Sequence, residues 1–442
     1  MSTLPVADLP VAPADDSMLY RKFGREVANY FSGSPLNRVS FLRTDHTFLR
    51  AAFAHPSARF LLVDNLQPLI HNETPPRLAW STQADIVPLV GSDPFEHTEA
   101  EAVKNFNSDN EPRPIVLFLG IDDKNKFAAS SASTAAAAAT AANGAANGAA
   151  ADGAAFTFTT FTGSPYFAVD VTPRSKFADK ARELIEASKA KGLSFFANPR
   201  SMSLVAEEAA VYGAARALFD WNARNPFCAG CGQPSLSVNA GTKRACPPTD
   251  LAGVEPGGTP RDRKPCDTRK GVSNLSFPRT DPTVIMACVS ADGTRILLGR
   301  NKRFPPHWYS TLAGFLEPGE SIEEAVRREV WEESGVTVGR VVLHSSQPWP
   351  FPANLMIGAV GQALPGAGET IFLGHDPELE DARWFSMDEV RRALEQNTAG
   401  LDDPIRAGYK EGDLRLPPRT AIANQLLAAV VAGFHDLEQA KM

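Results

Sequence analysis

The 442 residues contain no apolar run near the ~20 needed to span a bilayer, so no membrane-spanning helix is expected. Cysteine is scarce, with five in the chain. The opening MSTLPVADLPVAPADD is acidic and proline-rich, which is not the pattern of a secretory signal. Few cysteines without such a signal point to a reducing compartment, and to metal binding before disulfides. Excess positive charge is also missing. Lys and Arg number 44 against 51 Asp and Glu, a formal net charge of −7, and no dense Lys/Arg cluster occurs. A general electrostatic pull toward nucleic acid is therefore not expected. No G-x-G-x-x-G follows a strand-like run, which removes the usual sign of a hydride-transfer domain. What remains is an ordinary apolar fraction of 43% and a length that suits two or three domains.

Residues 1–16 have the composition of a disordered segment. Residues 17–225 are expected to form an α+β domain. It contains strand-like runs such as ARFLLVDN and PIVLFLGID, and FTFTTFTGSPYFAVDV reads as a β-hairpin that needs partners. Helices are expected near 175–191 and 203–224, the second with apolar spacing suited to packing on a sheet. Residues 128–155 are almost entirely Ala, Ser, Thr, Gly and Asn. They cannot build a core and read as a flexible insertion within that domain.

Residues 226–275 change character. Cys228 and Cys231 stand in a C-x-x-C-G knuckle, a turn that presents two thiolates to one ion. Cys246 and Cys266 complete a set that could close a tetrahedral Zn²⁺ site at about 2.3 Å per sulfur. The 19 residues between the third and fourth cysteines are rich in Pro and Gly, and a long loop adds little closure entropy. Cys288 sits in the apolar run TVIMACVS and reads as core.

Residues 276–442 alternate strand-like runs with helices, and the informative stretch is GFLEPGESIEEAVRREVWEESGV, Gly314–Val336. Pro318-Gly319 signals a turn, and Ser321 with Glu324 forms a capping box that starts a helix. Gly335 is placed to end it. Ile322, Ala325, Val326 and Val330 recur at helical spacing and make a face for burial. At about 100° per residue, Glu329 and Glu333 fall on the azimuth of Ile322 and Val326, with Glu332 at its edge. A carboxylate buried without a partner is costly and tends to protonate. Clustered carboxylates also repel one another, and a hard divalent cation such as Mg²⁺ or Mn²⁺ answers both problems.

The spacing Gly314, Glu320, Arg328-Glu329-Val330, Glu332-Glu333, Gly335-Val336 resembles the Nudix box without a departure at its nine fixed positions. By that resemblance the carboxy-terminal part is a Nudix α/β/α sandwich that hydrolyses a nucleoside diphosphate linked to another group. Glu329, Glu332 and Glu333 would face the metals, and Arg328 would pair with Glu320 to hold the loop against the helix. Together with the cysteine knuckle, NLSFPRTDPTVIM and SSQPWPFPANLM, the chain resembles the NADH pyrophosphatase branch of that family. The resemblance covers residues 226–430 well and the first 225 loosely. The branch signature has a serine where this chain has Asn354.

The resemblance implies further roles, one residue at a time. Phe315 would stack on the nicotinamide, and Phe277 would contact substrate. Gln347, Pro348, Trp349, Pro350, Phe351, Pro352, Ala353 and Asn354 would line the dinucleotide pocket. Ala423 would touch the other end of the substrate. The Ala313 carbonyl, Glu329, Glu333 and Glu378 would hold Mg²⁺ or Mn²⁺, and Glu332 is the candidate base. The reaction would be cleavage of NADH or NAD to NMN(H) and AMP, with NAD as substrate and not cofactor. Rival readings are removal of an NAD cap from RNA, a broader nucleoside-diphosphate hydrolase, and a zinc-ribbon binding module that no longer catalyses. The resemblance also suggests a homodimer. The terminal Ala440-Lys441-Met442 resembles a peroxisomal tripeptide, so peroxisomal localisation is expected, with a cytoplasmic pool allowed.

Overall fold

The strand Asp281–Val289 is buried at seven consecutive positions from Thr283, six of them apolar, because both faces of its sheet are covered. Val284, Met286 and Cys288 point to the helix Ile322–Ser334, packing with Ala325, Val326 and Val330. Ile285, Ala287 and Val289 point the other way, against Val390 of the helix Met387–Gln396 and Ile422, Leu426, Leu427 and Val430 of the helix Ile422–Val431. That is the expected α/β/α sandwich, with Cys288 in its core. The computed structural model describes residues 7–10, 27–125, 155–270, 277–318, 320–403 and 409–433. The insertion 128–155 lies outside them except for Ala155. Residues 1–6 and 11–16 of the amino-terminal segment, Gly319 of the box and Ala440-Lys441-Met442 also lie outside. Among the described residues no helix is long and apolar enough to cross a membrane.

The chain forms two compact units. One comprises Met1–Gly33, Arg200–Ala210 and Thr280–Met442, the other Ser34–Pro199 and Val211–Arg279. This division differs from the boundaries expected at 225 and 275 in two respects. The cysteine-containing segment is not a unit of its own, and the segments around residues 27–33 and 200–210 belong with the carboxy-terminal unit. Hydrogen bonds give the reason. Asn29 Nδ2 donates to Ser345 Oγ at 3.0 Å and to the Ser346 carbonyl at 2.9 Å. Tyr30 Oη donates to the Leu204 carbonyl at 2.7 Å.

The sheet of the carboxy-terminal unit runs in the order Val338–Trp349, Asn354–Ala363, Asp281–Val289, Arg295–Asn301, Leu379–Ser386. Asp281–Val289 and Asn354–Ala363 are parallel over nine residue pairs, from Asp281↔Asn354 to Val289↔Gln362. The other neighbours are antiparallel. The short strand Leu312–Phe315 pairs with Asp281–Val289 and leads into the helix Ile322–Ser334.

The sheet of the other unit repeats this plan. Its order is Val116–Asp122, Ser164–Asp170, Arg59–Asp64, Gln67–His71, with Leu193–Phe195 also on Gln67–His71. The parallel pair is again the second with the third, Arg59↔Tyr166 to Val63↔Asp170. A short strand, Trp80–Ser81, pairs with Arg59–Asp64 and leads into a helix, Gln83–Val90. The expected hairpin resolves into a small ribbon, Thr157–Phe158 with Phe161–Thr162, and the central strand Ser164–Asp170. Phe48, Phe53, Phe60, Phe118 and Phe167 fill the core, with ring centroids 5.2–5.3 Å apart in successive pairs.

Candidate active site

The helix Ile322–Ser334 begins as its sequence dictates. Ser321 caps it, accepting from the Glu324 N–H at 3.3 Å, while the Glu324 carboxylate accepts from the Ser321 N–H at 2.7 Å. It ends at Gly335, which has φ +73° and whose missing Cβ would lie 2.8–3.0 Å from Phe372 atoms. Burying Ala325, Val326 and Val330 forces the next position on that stripe, Glu333, inward. Glu333 is 5% exposed.

Arg328 leaves the same helix in the other direction. Its guanidinium donates to Glu320 through Nε at 2.6 Å and Nη2 at 2.8 Å, and to the Phe315 carbonyl at 2.8 Å. This bidentate pair ties the loop to the helix. Nη1 donates to Glu329 at 2.8 Å and to Glu332 at 2.9 Å. The Glu329 carboxylate lies over Gly314, where a Cβ would sit 1.9–2.2 Å from its carboxyl atoms. Gly314 is therefore required as a cradle for that carboxylate.

Among the described residues Glu333 has no such cation. The Ala313 N–H donates to its carboxylate, but burial, then Glu378 and Glu329, push its pKa up to about 8. Burial also raises Glu329, against the pull of Arg328. Of the three neighbouring acids near Trp384, Glu380 is engaged by Arg300 at 2.6 Å, and Asp381 by Arg383 at 2.6 Å and the Tyr309 hydroxyl at 2.5 Å. Glu378 is exposed, its carboxylate is 3.4 Å from Asn301 Nδ2, and it acts on Glu333 through space. Asp376 adds to the same field, and the sequence reading did not single it out. A buried carboxylate without a cation, beside others and a glycine cradle, fits a divalent metal centre. The carboxylates are more spread than the cysteines: among the described residues only the four cysteines bring three or more ligand atoms within 4.8 Å of one another.

The aromatic residues separate into open and closed positions. Phe315 is 56% exposed, with its carbonyl held by Arg328. Trp349 is half-buried, 5.0 Å from Phe351 between ring centroids. Phe351 is only 8% exposed, packed against Phe31 at 5.9 Å with the Arg200 guanidinium 5.1 Å from its ring centroid. Phe31, which also meets Trp349 at 6.1 Å, had no sequence signal. Pro350 is buried, while Pro348, Pro352 and Ala353 are half-buried. Phe277 is half-buried, with Lys243 Nζ 5.8 Å from its ring centroid.

Two expected pocket residues point elsewhere. Ala423 is buried in the apolar core of its helix. Gln347 is 1% exposed, and its carboxamide is fully committed. Nε2 donates to the Tyr30 carbonyl at 3.1 Å and the Thr420 carbonyl at 2.9 Å, and Oε1 accepts from the Ile422 N–H at 3.0 Å. It is a clamp between three chain segments. Asn354 donates through Nδ2 to Thr283 at 3.2 Å, and its buried Oδ1 has no partner among the described residues.

The cysteines converge as expected. The knuckle closes through the Cys228 N–H to the Gln233 carbonyl at 2.7 Å and the Gly232 N–H to the Cys228 carbonyl at 2.8 Å. The Sγ atoms of Cys228 and Cys266 are 3.5 Å apart, as are those of Cys231 and Cys246. No disulfide joins them. Burial works against a Cys228 thiolate, but Thr268 and the N–H groups of Cys231 and Gly230 overcome it and lower its pKa. Four sulfurs in this arrangement fit a tetrahedral metal site.

Comparison with known proteins follows the same division. A profile of the NUDIX domain matches residues 279–407. One described as an NADH pyrophosphatase-like rudimentary NUDIX domain matches residues 57–221. The chain is 34% identical to a NAD-capped RNA hydrolase of Schizosaccharomyces pombe over 422 residues, 94% of this chain and 96% of the relative. It is 33% identical to the human NAD-capped RNA hydrolase NUDT12 over 405 residues, 91% of this chain and 73% of the relative. It is 33% identical to the human mitochondrial NAD(P)H pyrophosphatase NUDT13 over 267 residues, 59% and 66% of the two chains.

Two outcomes follow from this geometry. Gln347→Ala leaves two carbonyls and an N–H unpartnered in the interior, so it should lower stability by about 2–4 kcal/mol in urea unfolding. KM in the folded fraction should hold; unchanged stability with a raised KM would return Gln347 to the pocket. The second concerns pH. Glu333 has a folded pKa of about 8 against an ordinary 4.5, so the native chain holds a proton that the unfolded chain releases. Metal-free stability should therefore fall as pH rises from 4.5 to about 8. The contribution is at most about 1.4 kcal/mol per pH unit. Urea midpoints in EDTA across this range should show a shallower fall for Glu333→Gln; identical slopes would contradict the assignment.

Proposed function

Because the chain belongs to the Nudix hydrolase family, we propose that it cleaves the pyrophosphate bond of NAD(H) to give NMN(H) and AMP. The observation that carries this reading is the buried Glu333, without a cation among the described residues, in the field of Glu378 and Glu329, on the helix that Arg328 ties to the carbonyl of the exposed Phe315. The names of the relatives extend the reading to the same bond in NAD-capped RNA.

Glu329, Glu333, Glu378 and the Ala313 carbonyl would hold Mg²⁺ or Mn²⁺. In an extended strand the N–H and C=O of one residue share an edge, so the Ala313 N–H on Glu333 supports that carbonyl as a ligand. When bound, the metals neutralise the pyrophosphate and lower the pKa of a water. The Glu320–Arg328 pair fixes the loop and, through the Phe315 carbonyl, the chain that presents the ring for stacking. Attack on phosphorus is in line, and Glu332, steadied by Arg328, would receive the proton.

Steady-state assays with saturating Mg²⁺ should rank NADH, NAD and NAD-capped RNA above ADP-ribose and diadenosine polyphosphate. Glu333→Gln should lower NADH turnover by about 100-fold, equivalent to about 2.7 kcal/mol, with the fold intact. Glu324→Gln, which touches only the cap, should stay near wild type. Near-wild-type turnover in Glu333→Gln would remove the metal reading of the helix.

The four thiolates of Cys228, Cys231, Cys246 and Cys266 would hold a structural Zn²⁺. Protein purified without added metal should contain about one zinc per chain, and Cys228→Ser should lose it with a drop in melting temperature. Zinc near zero in the wild type would refute the assignment.

A further inference from the structure

The unit formed by Ser34–Pro199 and Val211–Arg279 contains a cavity of about 620 Å³, a size within the range of small-molecule sites. Its wall joins the turn before the helix His46–Ala54, the loop after Gln83–Val90, and the entry to the strand Val116–Asp122. The end of Ser164–Asp170 and the hairpin Leu236–Val238 with Lys243–Ala245 complete it. The cavity contains none of the residues assigned to the catalytic centre or the cysteine site.

Its charges do not balance. Four of the five carboxylates in the wall have an Arg or Lys within 4.0 Å, and the fifth, Glu96, has the His97 imidazole. Asp93 has Arg50 at 2.7 Å, Glu96 has His97 at 3.3 Å, and Glu99 has Lys243 at 2.6 Å. Glu111 has Arg113 at 3.2 Å, and Asp170 has Arg174 at 3.7 Å. Two arginines of the wall remain. Arg244 is 8% exposed and donates only to neutral acceptors, Ser235 Oγ at 2.7 Å, the Ser235 carbonyl at 2.8 Å and Asn222 Oδ1 at 3.2 Å. Its nearest opposing charge, Glu111, is shared with Arg113. Arg43 has no ion pair among the described residues, and its Nε is buried without a hydrogen-bond partner. Burial and the neighbouring Arg38 both disfavour its charge.

A guanidinium cannot shed its proton to escape this cost. A buried cation without an anion is strongly unfavourable, and a forked donor set matches the oxygens of a phosphate. Apolar wall residues such as Leu49, Val90 and Phe177 leave room for a less polar moiety beside the anion. We propose that this cavity is a second ligand site that binds a small phosphate monoester of mononucleotide size, with Arg43 as its principal anion contact. The site does not depend on hydrolysis, so it stands or falls apart from the reading of the catalytic centre.

AMP is the probe, with the full chain in EDTA. Equilibrium dialysis should show AMP bound, inorganic phosphate competing, and adenosine without effect. Arg43→Gln should weaken AMP binding by about tenfold or more, while NADH hydrolysis stays close to wild type. AMP is also the product of the proposed reaction, so hydrogen exchange locates the binding. In the wild-type chain, AMP should protect amides of residues 111–116 and 236–241. That measurement decides the matter even where Arg43→Gln fails to fold. Unchanged exchange in both segments, AMP affinity indifferent to Arg43→Gln, or adenosine binding as tightly as AMP would each overturn the proposal.

Discussion

The carboxylate of Glu333 is the constraint on which the catalytic unit depends. The helix that carries it cannot turn to expose the acid without also exposing Ala325, Val326 and Val330, which are fully buried. Arg328 cannot reach back to neutralise it, because its donors are spent on Glu320, Glu329, Glu332 and the Phe315 carbonyl. Each fixed position of the box can be traced to this arrangement. Gly314 leaves room for the Glu329 carboxylate, and Gly335 takes the left-handed turn that ends the helix against Phe372. Glu320 and Arg328 hold the loop that brings the Ala313 N–H to Glu333. Burial therefore favours an ion at Glu333, or a proton standing in for one.

The second sheet shows how narrowly this chemistry depends on local sequence. Strand order, parallel pair and strand-to-helix entry are repeated. The helix in the equivalent place, Gln83–Val90, is eight residues long and has Pro88 inside it. Its only acid, Asp85, is used in the capping box with Thr82. No carboxylate is carried inward, since Ile86 and Leu89 take the buried positions. One sheet plan therefore carries a buried carboxylate cluster on its helix in one unit and none on the equivalent helix in the other, as expected when function resides in grafted sites rather than in a fold.

The difference in legibility has a physical origin. The box could be read because all its determinants lie within one helix and its entry, where spacing fixes geometry. The cysteine knuckle is local for the same reason, and the strands of both sheets were visible in their apolar runs. The repeat of the sheet was hidden, because the two equivalent strand pairs are joined by residues 123–163 in one unit and 350–353 in the other. The clamp made by Gln347 was hidden because its three partners lie far away in sequence, at Tyr30, Thr420 and Ile422. The choice among Glu378, Glu380 and Asp381 needed Arg300, Arg383 and Tyr309, which engage the latter two. Phe31 has no periodic signal. Its place against Trp349 and Phe351 follows from the attachment of Asn29 and Tyr30 to the carboxy-terminal unit.

The two units leave opposite charges unanswered. In one, Glu333 lacks a cation while its neighbours share Arg328. In the other, Arg43 and Arg244 lack an anion of their own while every nearby carboxylate is engaged. Surface ion pairs contribute little to stability and rearrange freely, so an imbalance among exposed groups would mean nothing. These groups are held where water cannot fully solvate them, and a carboxylic acid and a guanidinium then differ in one respect. Glu333 can relieve its cost by taking a proton, which makes the metal centre sensitive to pH when empty. Arg43 has no comparable escape, so its relief must come from a bound anion or from movement of the surrounding chain.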